Sequence, residues 1–212
     1  MTQLIQDTSS TEQTVWICRH GLRIDQVDPT WRRRNGHDPY LAEEGVQQAR
    51  ETGERLRGEG IERIFASPFL RAVETAHHIA DILDLAVHIE RGACEWLNPQ
   101  WFAQMPEIVP AEEMARRFPR VDPAYESVVL PRYPETAEEA FVRAGKAARL
   151  LVQRHPGNLL LVGHGHSVVG MSWGLLEDRP DIHAELCALI KIGRYNGAWQ
   201  LELNGDTAHL SV

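Results

Sequence analysis

Four consecutive apolar residues, Leu159-Leu160-Leu161-Val162, run without a break into Gly163-His164-Gly165-His166-Ser167. An unbroken apolar run of this length, stopped by glycine, is the signature of a strand buried on both faces, as in a parallel sheet covered by helices. A second short run, Thr14 to Cys18, mixes β-branched and aromatic residues and breaks in the same way into Arg19-His20-Gly21. In open α/β sheets, sites form beyond the carboxyl ends of the strands. Two histidines delivered to two such ends can face one pocket although they lie far apart in the chain. The glycines beside them let backbone N–H groups come close to a ligand.

The segments between and around these runs alternate in character. About Ala42 to Arg57 carries Val46, Ala49, Gly53 and Leu56 at helical spacing, and Gly58 and Gly60 stop it. Ile61 to Ala66 reads as a strand. Ser67-Pro68 then matches an N-cap followed by proline at the first helical position, which predicts a helix to about Leu83. Leu85 to Glu90 is a third strand. From Glu95 to Arg132 prolines interrupt every pattern and leave one short helix near Glu112 to Phe118. With no core of its own, this stretch (about 96–132) reads as an insertion over one end of the sheet. Helical spacing returns from Glu135 to about Arg154, and a further helix follows His164 to about Leu175. Cys187 to Ile192 and Trp199 to Leu203 form a hairpin turning at Asn196-Gly197. The expected fold is a three-layer α/β sandwich, a mostly parallel sheet with helices on both faces. Residues 1–13, rich in Thr, Gln and Ser, read as a mobile tail ahead of a single domain over 14–212. A chain of this size buries roughly 70% of its unfolded surface, enough for one core.

Charge narrows the range of functions. Asp plus Glu is 30 against 22 for Lys plus Arg, a formal net charge of −8. Counterion release needs a basic face, so nucleic-acid and anionic-membrane partners are not expected. No apolar run is long enough for a membrane span, and the N-terminus has no apolar leader. Cys18, Cys94 and Cys187 are too few and too scattered for a disulfide framework or a zinc knuckle, so a reduced cytoplasmic setting is expected.

Against this acidic background, arginines gather beside the histidines. Arg19 adjoins His20, Arg23 follows shortly after, and Arg71 lies one turn into the helix opened by Ser67-Pro68. Guanidinium forks pair bidentately with phosphate oxygens and stay charged at any working pH, and a helix N-terminus adds N–H donors. These residues together make a phosphate pocket for a small phosphorylated substrate. Arg32, Arg33 and Arg34 read as solvated surface, as do His77 and His78. Cys18 is no phosphatase nucleophile, since Arg23 arrives one residue too early for a C-x5-R loop. His164 and His166 lack the nearby carboxylate of a good zinc shell. Trp16 and Trp199 read as packing, whereas Trp96, Trp101 and Phe102 fit either a pocket wall or a hydrophobic plug.

Three elements in this order, Arg19-His20-Gly21, Ser67-Pro68-x-x-Arg71 and Gly163-His164-Gly165, resemble the histidine phosphatase (phosphoglycerate mutase-like) superfamily. The likeness spans nearly the whole chain from Thr14 onward. Arg23-x-Asp25, the stretch Ser67 to Ala76 and Cys94-Glu95-Trp96-Leu97 are most similar to the branch holding the suppressor-of-T-cell-receptor-signalling and ecdysteroid-phosphate phosphatases.

The resemblance implies a metal-independent phosphomonoester hydrolase without cofactors, in which His20 is the nucleophile and forms a phosphohistidine. It implies that Arg19, Arg23, Arg71 and His164, with the Gly165 backbone, surround the phosphoryl oxygens. Acid phosphatases of the superfamily carry an Asp directly after the second histidine; Gly165 stands there instead, and Glu95 matches the position of the acid in the other branch. Asp25 would orient Arg23, Ser67 serves as a helix cap, and Ser167 is a lesser candidate. Mutases carry Glu-Ser after Arg-His-Gly, where this chain has Leu22-Arg23. A phosphoglycerate mutase-type transfer and a non-catalytic phospho-ligand binding module are the alternatives. No motif speaks to the physiological substrate or the oligomeric state.

Overall fold

The computed structural model describes residues 12–31 and 38–211. β1 (Gln13–Arg19) leads through a short helix α1 (Ile24–Val27) to α2 (Glu43–Leu56), β2 (Ile61–Ala66), α3 (Leu70–Leu83) and β3 (Val87–Ile89). A 3₁₀ turn (Arg91–Ala93), α4 (Ala111–Arg117) and α5 (Ala137–Arg154) follow. The chain then forms β4 (Asn158–Gly163), α6 (Gly165–Leu175), β5 (Leu189–Tyr195) and β6 (Ala198–Asp206). The six strands form one sheet in the order β3-β2-β4-β1-β5-β6, with β1 to β4 parallel and the β5–β6 hairpin antiparallel at one side.

The reason the central strands carry no polar alternation is visible in their packing. Trp16, Cys18, Leu160 and Val162 face a cluster completed by Ala72, Val73, Ala76 and Ile79 of α3 and Leu56 of α2. Their neighbours Val15, Ile17, Leu159 and Leu161 face the other way, onto Ala144, Ala148 and Leu151 of α5 and Val168, Met171 and Leu175 of α6. Each face is covered by helices, so both sets of side chains must be apolar. Backbone approach is close where helices meet strand ends: a Cβ on Gly21 would lie 2.6 Å from the Gly45 carbonyl oxygen at the start of α2. Glycine after His20 therefore serves packing against α2 rather than approach to a ligand. The hairpin closes on Asn196 (φ 50°) and Gly197 (φ 81°), the paired left-handed residues that match the twist of the flanking strands.

Several expectations need adjustment. The tail expected over residues 1–13 falls mostly outside the described residues, but Gln13 opens β1, buried, with its amide donating to the carbonyls of His155 and Gly157. Arg32, Arg33 and Arg34 lie outside the described residues. The third strand is only three residues long, and the segment after it covers its edge. Val87 N–H donates to Arg120 O, Asp122 N–H donates to Val87 O, and Ser127 Oγ donates to Ile89 O. The insertion thus lies along the sheet's edge as well as at its end, satisfying backbone groups that an edge strand would leave open. Met114, Phe118 and Val121 join the α3 side of the core. His77 is half-buried, with its ring 5.4 Å from that of Phe118, rather than solvated. Among the described residues no helix is long and apolar enough to cross a membrane.

Candidate active site

The register of the three central parallel strands brings their carboxyl ends level. Arg19 at the end of β1 pairs with Gly163 at the end of β4, and His20 N–H donates to Gly163 O. Ala66 of β2 pairs with Val162, and Ser67 N–H donates to Val162 O. Ser67, His164 and His20 therefore stand side by side. The two imidazole centroids are 5.2 Å apart, and both rings are buried.

Each ring is held on one side only. His20 Nδ1–H donates to its neighbour's carbonyl, Gly21 O, at 2.8 Å, which leaves Nε2 buried and without a partner. His164 Nε2 lies 2.6 Å from Ser67 Oγ, while its buried Nδ1 has no hydrogen bond and stands 3.6 Å from Glu95 Oε2. Burial, and after it the Arg71 guanidinium, holds both imidazoles well below the usual histidine pKa, so both are neutral near pH 7.

Ser67 is not the helix cap. α3 begins at Leu70 with Phe69 in the N-cap position, and the Ser67 hydroxyl is committed to His164, only 3.4 Å from Phe69 N. The cap comes from a distant segment instead: both carboxylate oxygens of Asp38 accept from Leu70 N–H, at 3.0 and 2.9 Å. Asp38 also stands 3.5 Å from Arg71 Nη1, and Glu95 Oε2 stands 3.5 Å from Arg71 Nη2. Arg71, 4% exposed, is thus buried over the Phe69 ring with a carboxylate at each Nη and its Nε without a partner.

A cavity of about 490 Å³ opens at these strand ends, lined by Arg19, Arg23, Pro39, Arg71, Glu95, Gln100, Trp101, Phe102, Gly165 and His166. Arg23 is fixed by a forked ion pair to Asp25, at 2.9 and 3.3 Å. Arg19 donates one Nη1–H to Ala184 O at 2.9 Å, and its buried Nε has no partner. Gly165 is the first residue of α6, so the helix N-terminus opens on the same cavity. Of the expected site residues, Arg19, Arg23, Arg71, Glu95 and Gly165 line this cavity, while His20 and His164 are buried side by side and are not part of its lining, His164 Nδ1 standing 3.6 Å from the lining Glu95. Ser167 stays out of the cavity, its Oγ accepting from His164 N–H at 2.8 Å.

The aromatic residues divide their roles. Phe102 is buried against Phe69, Cys94 and Leu97, whereas Trp101 is 49% exposed at the cavity wall. Trp96 lies between Trp101 and His166, its ring 5.0 Å from the first and 4.7 Å from the second. His166 also stacks on Phe141, so it belongs to the wall. Among the described residues no group of three or more His, Cys, Asp or Glu is placed to hold a metal ion. The Cys18 thiol is buried; the neighbouring Cys187 thiol first, and burial second, push its pKa well up. Asp38 and the Ser67 contact escape sequence reasoning because their partners come from other elements.

Sheet order, helical layers and paired strand ends define an α/β protein of the phosphoglycerate mutase-like type. Residues 15–207 match the histidine phosphatase superfamily (branch 1), and the chain belongs to that superfamily. It is 33% identical over 177 residues to the transcription factor tau 55 kDa subunit of Saccharomyces cerevisiae, covering 77% of this chain and 41% of that protein. It is 29% identical over 232 residues to the mouse ubiquitin-associated and SH3 domain-containing protein A, covering 89% of this chain and 37% of that one. The chain thus spans well under half the length of these relatives. Among solved structures, the ecdysone phosphate phosphatase of Bombyx mori in complex with tungstate has the same fold, with a TM-score of 0.75 at 24% identity over 89% of this chain and 91% of that one.

Proposed function

We propose that this chain hydrolyses phosphomonoesters through a phosphohistidine on His20, with Glu95 as general acid. The observation that carries this reading is the state of His20. Its Nδ1 proton is committed to Gly21 O, and its other nitrogen is buried, neutral and unpartnered beside a cluster of arginines. That is what a nucleophilic imidazole needs.

In the first step the Nε2 lone pair forms a bond to phosphorus, the ester P–O bond breaks, and the leaving oxygen takes a proton from Glu95. In the second step Glu95 takes a proton from water as its oxygen bonds to phosphorus. The P–N bond breaks, releasing inorganic phosphate and neutral His20. Arg19, Arg23 and Arg71 supply positive charge to the equatorial oxygens, where catalysis is mostly positioning and electrostatics. Ser67 Oγ lies near Phe69 N–H, and a Ser67 hydroxyl that donates to His164 Nε2 leaves the ring proton on Nδ1, as a further donor toward the site. Tungstate, bound by the Bombyx mori phosphatase, is a tetrahedral oxyanion like the phosphoryl group, which supports this ligand class.

The test is turnover of p-nitrophenyl phosphate in the presence of chelator, with acid-quench trapping of labelled phosphate. Wild type should turn over and yield base-stable, acid-labile label. His20→Ala should lose on the order of 10³-fold or more in kcat. Label on serine, or none in a competent protein, would overturn the mechanism. Return of the phosphoryl group to substrate without hydrolysis would instead favour a mutase, and phosphate binding without turnover a binding module.

A further inference from the structure

Glu95 is held weakly through its own carboxylate. Its Oε2 stands 3.5 Å from Arg71 Nη2 and 3.6 Å from His164 Nδ1, and Oε1 accepts from the adjacent Trp96 N–H at 3.0 Å. What holds its backbone is a buried ion pair below it. Arg143 of α5 and Glu135 are 7% and 5% exposed over the residue and the side chain, respectively.

Arg143 has five N–H donors, and all five are matched. Nε–H donates to Glu135 Oε2 at 3.0 Å, and one Nη2–H donates to Glu135 Oε1. The two Nη1–H donate to the carbonyls of Gly92 (2.7 Å) and Cys94 (3.2 Å), and the second Nη2–H to the carbonyl of Glu95 itself (3.2 Å). Glu135 completes the strap from the other side. Its Oε1 accepts from Leu97 N–H at 3.0 Å, and its main-chain carbonyl accepts from the Trp96 indole at 2.8 Å. One ion pair thus ties down the 92–97 backbone on both sides of Glu95.

We propose that the Arg143–Glu135 pair is the positioning device for Glu95. It sets the reach of that carboxyl to the leaving oxygen and touches neither substrate nor the reacting atoms; the inference rests on the reading of Glu95 as general acid. A guanidinium is required because only its planar fork spans a carboxylate and three carbonyls at once; an ammonium has three donors and no fork. The consequence is selective. Misplacing an acid hurts substrates whose leaving oxygen must be protonated, and an error of about 1 Å can cost on the order of 10²-fold.

The experiment compares kcat/KM for p-nitrophenyl phosphate, whose leaving group departs as an anion, with that for an unactivated alkyl phosphate. Two variants are used. Arg143→Met with Glu135→Met removes both buried charges together, which avoids stranding one of them. Arg143→Lys keeps the charge and loses the fork. In each, the alkyl-to-aryl ratio should fall about tenfold or more, and in a Glu95→Gln background neither change should lower it further. An equal loss on both substrates in either variant, or no loss on either, overturns the proposal. If one variant fails to fold by its thermal transition, the other decides alone. Glu95→Gln in the otherwise native chain separates the two ideas. An unchanged ratio there overturns the general-acid reading; a lowered ratio there, with an unchanged ratio in the Arg143 variants, overturns the positioning role only.

Discussion

The two walls of the cavity are built on different principles. The first, to which the proposed phosphate-binding residues belong, comes from the ends of β1, β2 and β4, where hydrogen-bonded register leaves no freedom. His20, Ser67 and His164 are fixed by the sheet before any side chain makes a choice. The second comes from the proline-interrupted segment after β3, which contributes Glu95, Gln100, Trp101 and Phe102 to the lining without regular structure. Its order depends on side-chain fastenings: the Arg143–Glu135 pair, and Tyr133, whose hydroxyl donates to Phe102 O at 2.6 Å. On the proposed function, rigid strand ends would suit the invariant part of a phosphomonoester, and a strapped loop the part that varies. Changes on the first wall should therefore affect all substrates alike, and changes on the second should sort them.

The sharpest way to break this contrast is Arg71→Met. It should lower kcat/KM by about 10²- to 10³-fold for aryl and alkyl phosphates equally, because it removes charge stabilisation from the transferring group itself. A strongly substrate-dependent loss would mean that Arg71 belongs functionally to the second wall.

A smaller effect concerns stability. The pKa of His20 is lowered by burial first and Arg71 second, so between about pH 6.5 and its lowered folded value the unfolded chain binds the extra proton. Its stabilising contribution is complete above about pH 6.5 and is lost as pH falls through that window. Denaturant unfolding of wild type and His20→Gln across pH 7.5 to 5 should show a slope shallower by up to about one proton in the variant. Parallel slopes would show that folding does not lower the His20 pKa.

The mildest change is Trp101→Ala. Half-exposed on the second wall, Trp101 should affect KM by a few-fold for bulky aromatic esters, consistent with about 0.5–1.5 kcal/mol for an aromatic contact, and barely at all for small alkyl phosphates. Uniform loss across both groups would place it with the catalytic wall.

Residues differ in how far the sequence announced their places in the structure. Leu159 to Val162 and the Asn196-Gly197 turn were legible because burial on both faces and a two-residue turn leave local signatures. The histidines were legible because each follows a strand and precedes a glycine. Glu95 was singled out through resemblance, with only its apolar neighbours Trp96 and Leu97 to set it apart locally from other glutamates. Ser67-Pro68 misled: its pattern is that of a cap, yet the hydroxyl faces His164 and Asp38 supplies the cap. Asp38, Arg143 and Glu135 left no trace, because their meaning lies in partners from other elements.

Local periodicity and glycine placement were thus enough to settle that this chain makes a two-faced parallel sheet with a histidine at the end of each of two strands. Which nitrogen of each ring stays free, which carboxylate meets Arg71 and what holds Glu95 were decided only when the chain closed up. Those properties are distances between side chains remote in sequence, and a hydrogen bond exists only where folding brings both of its ends together.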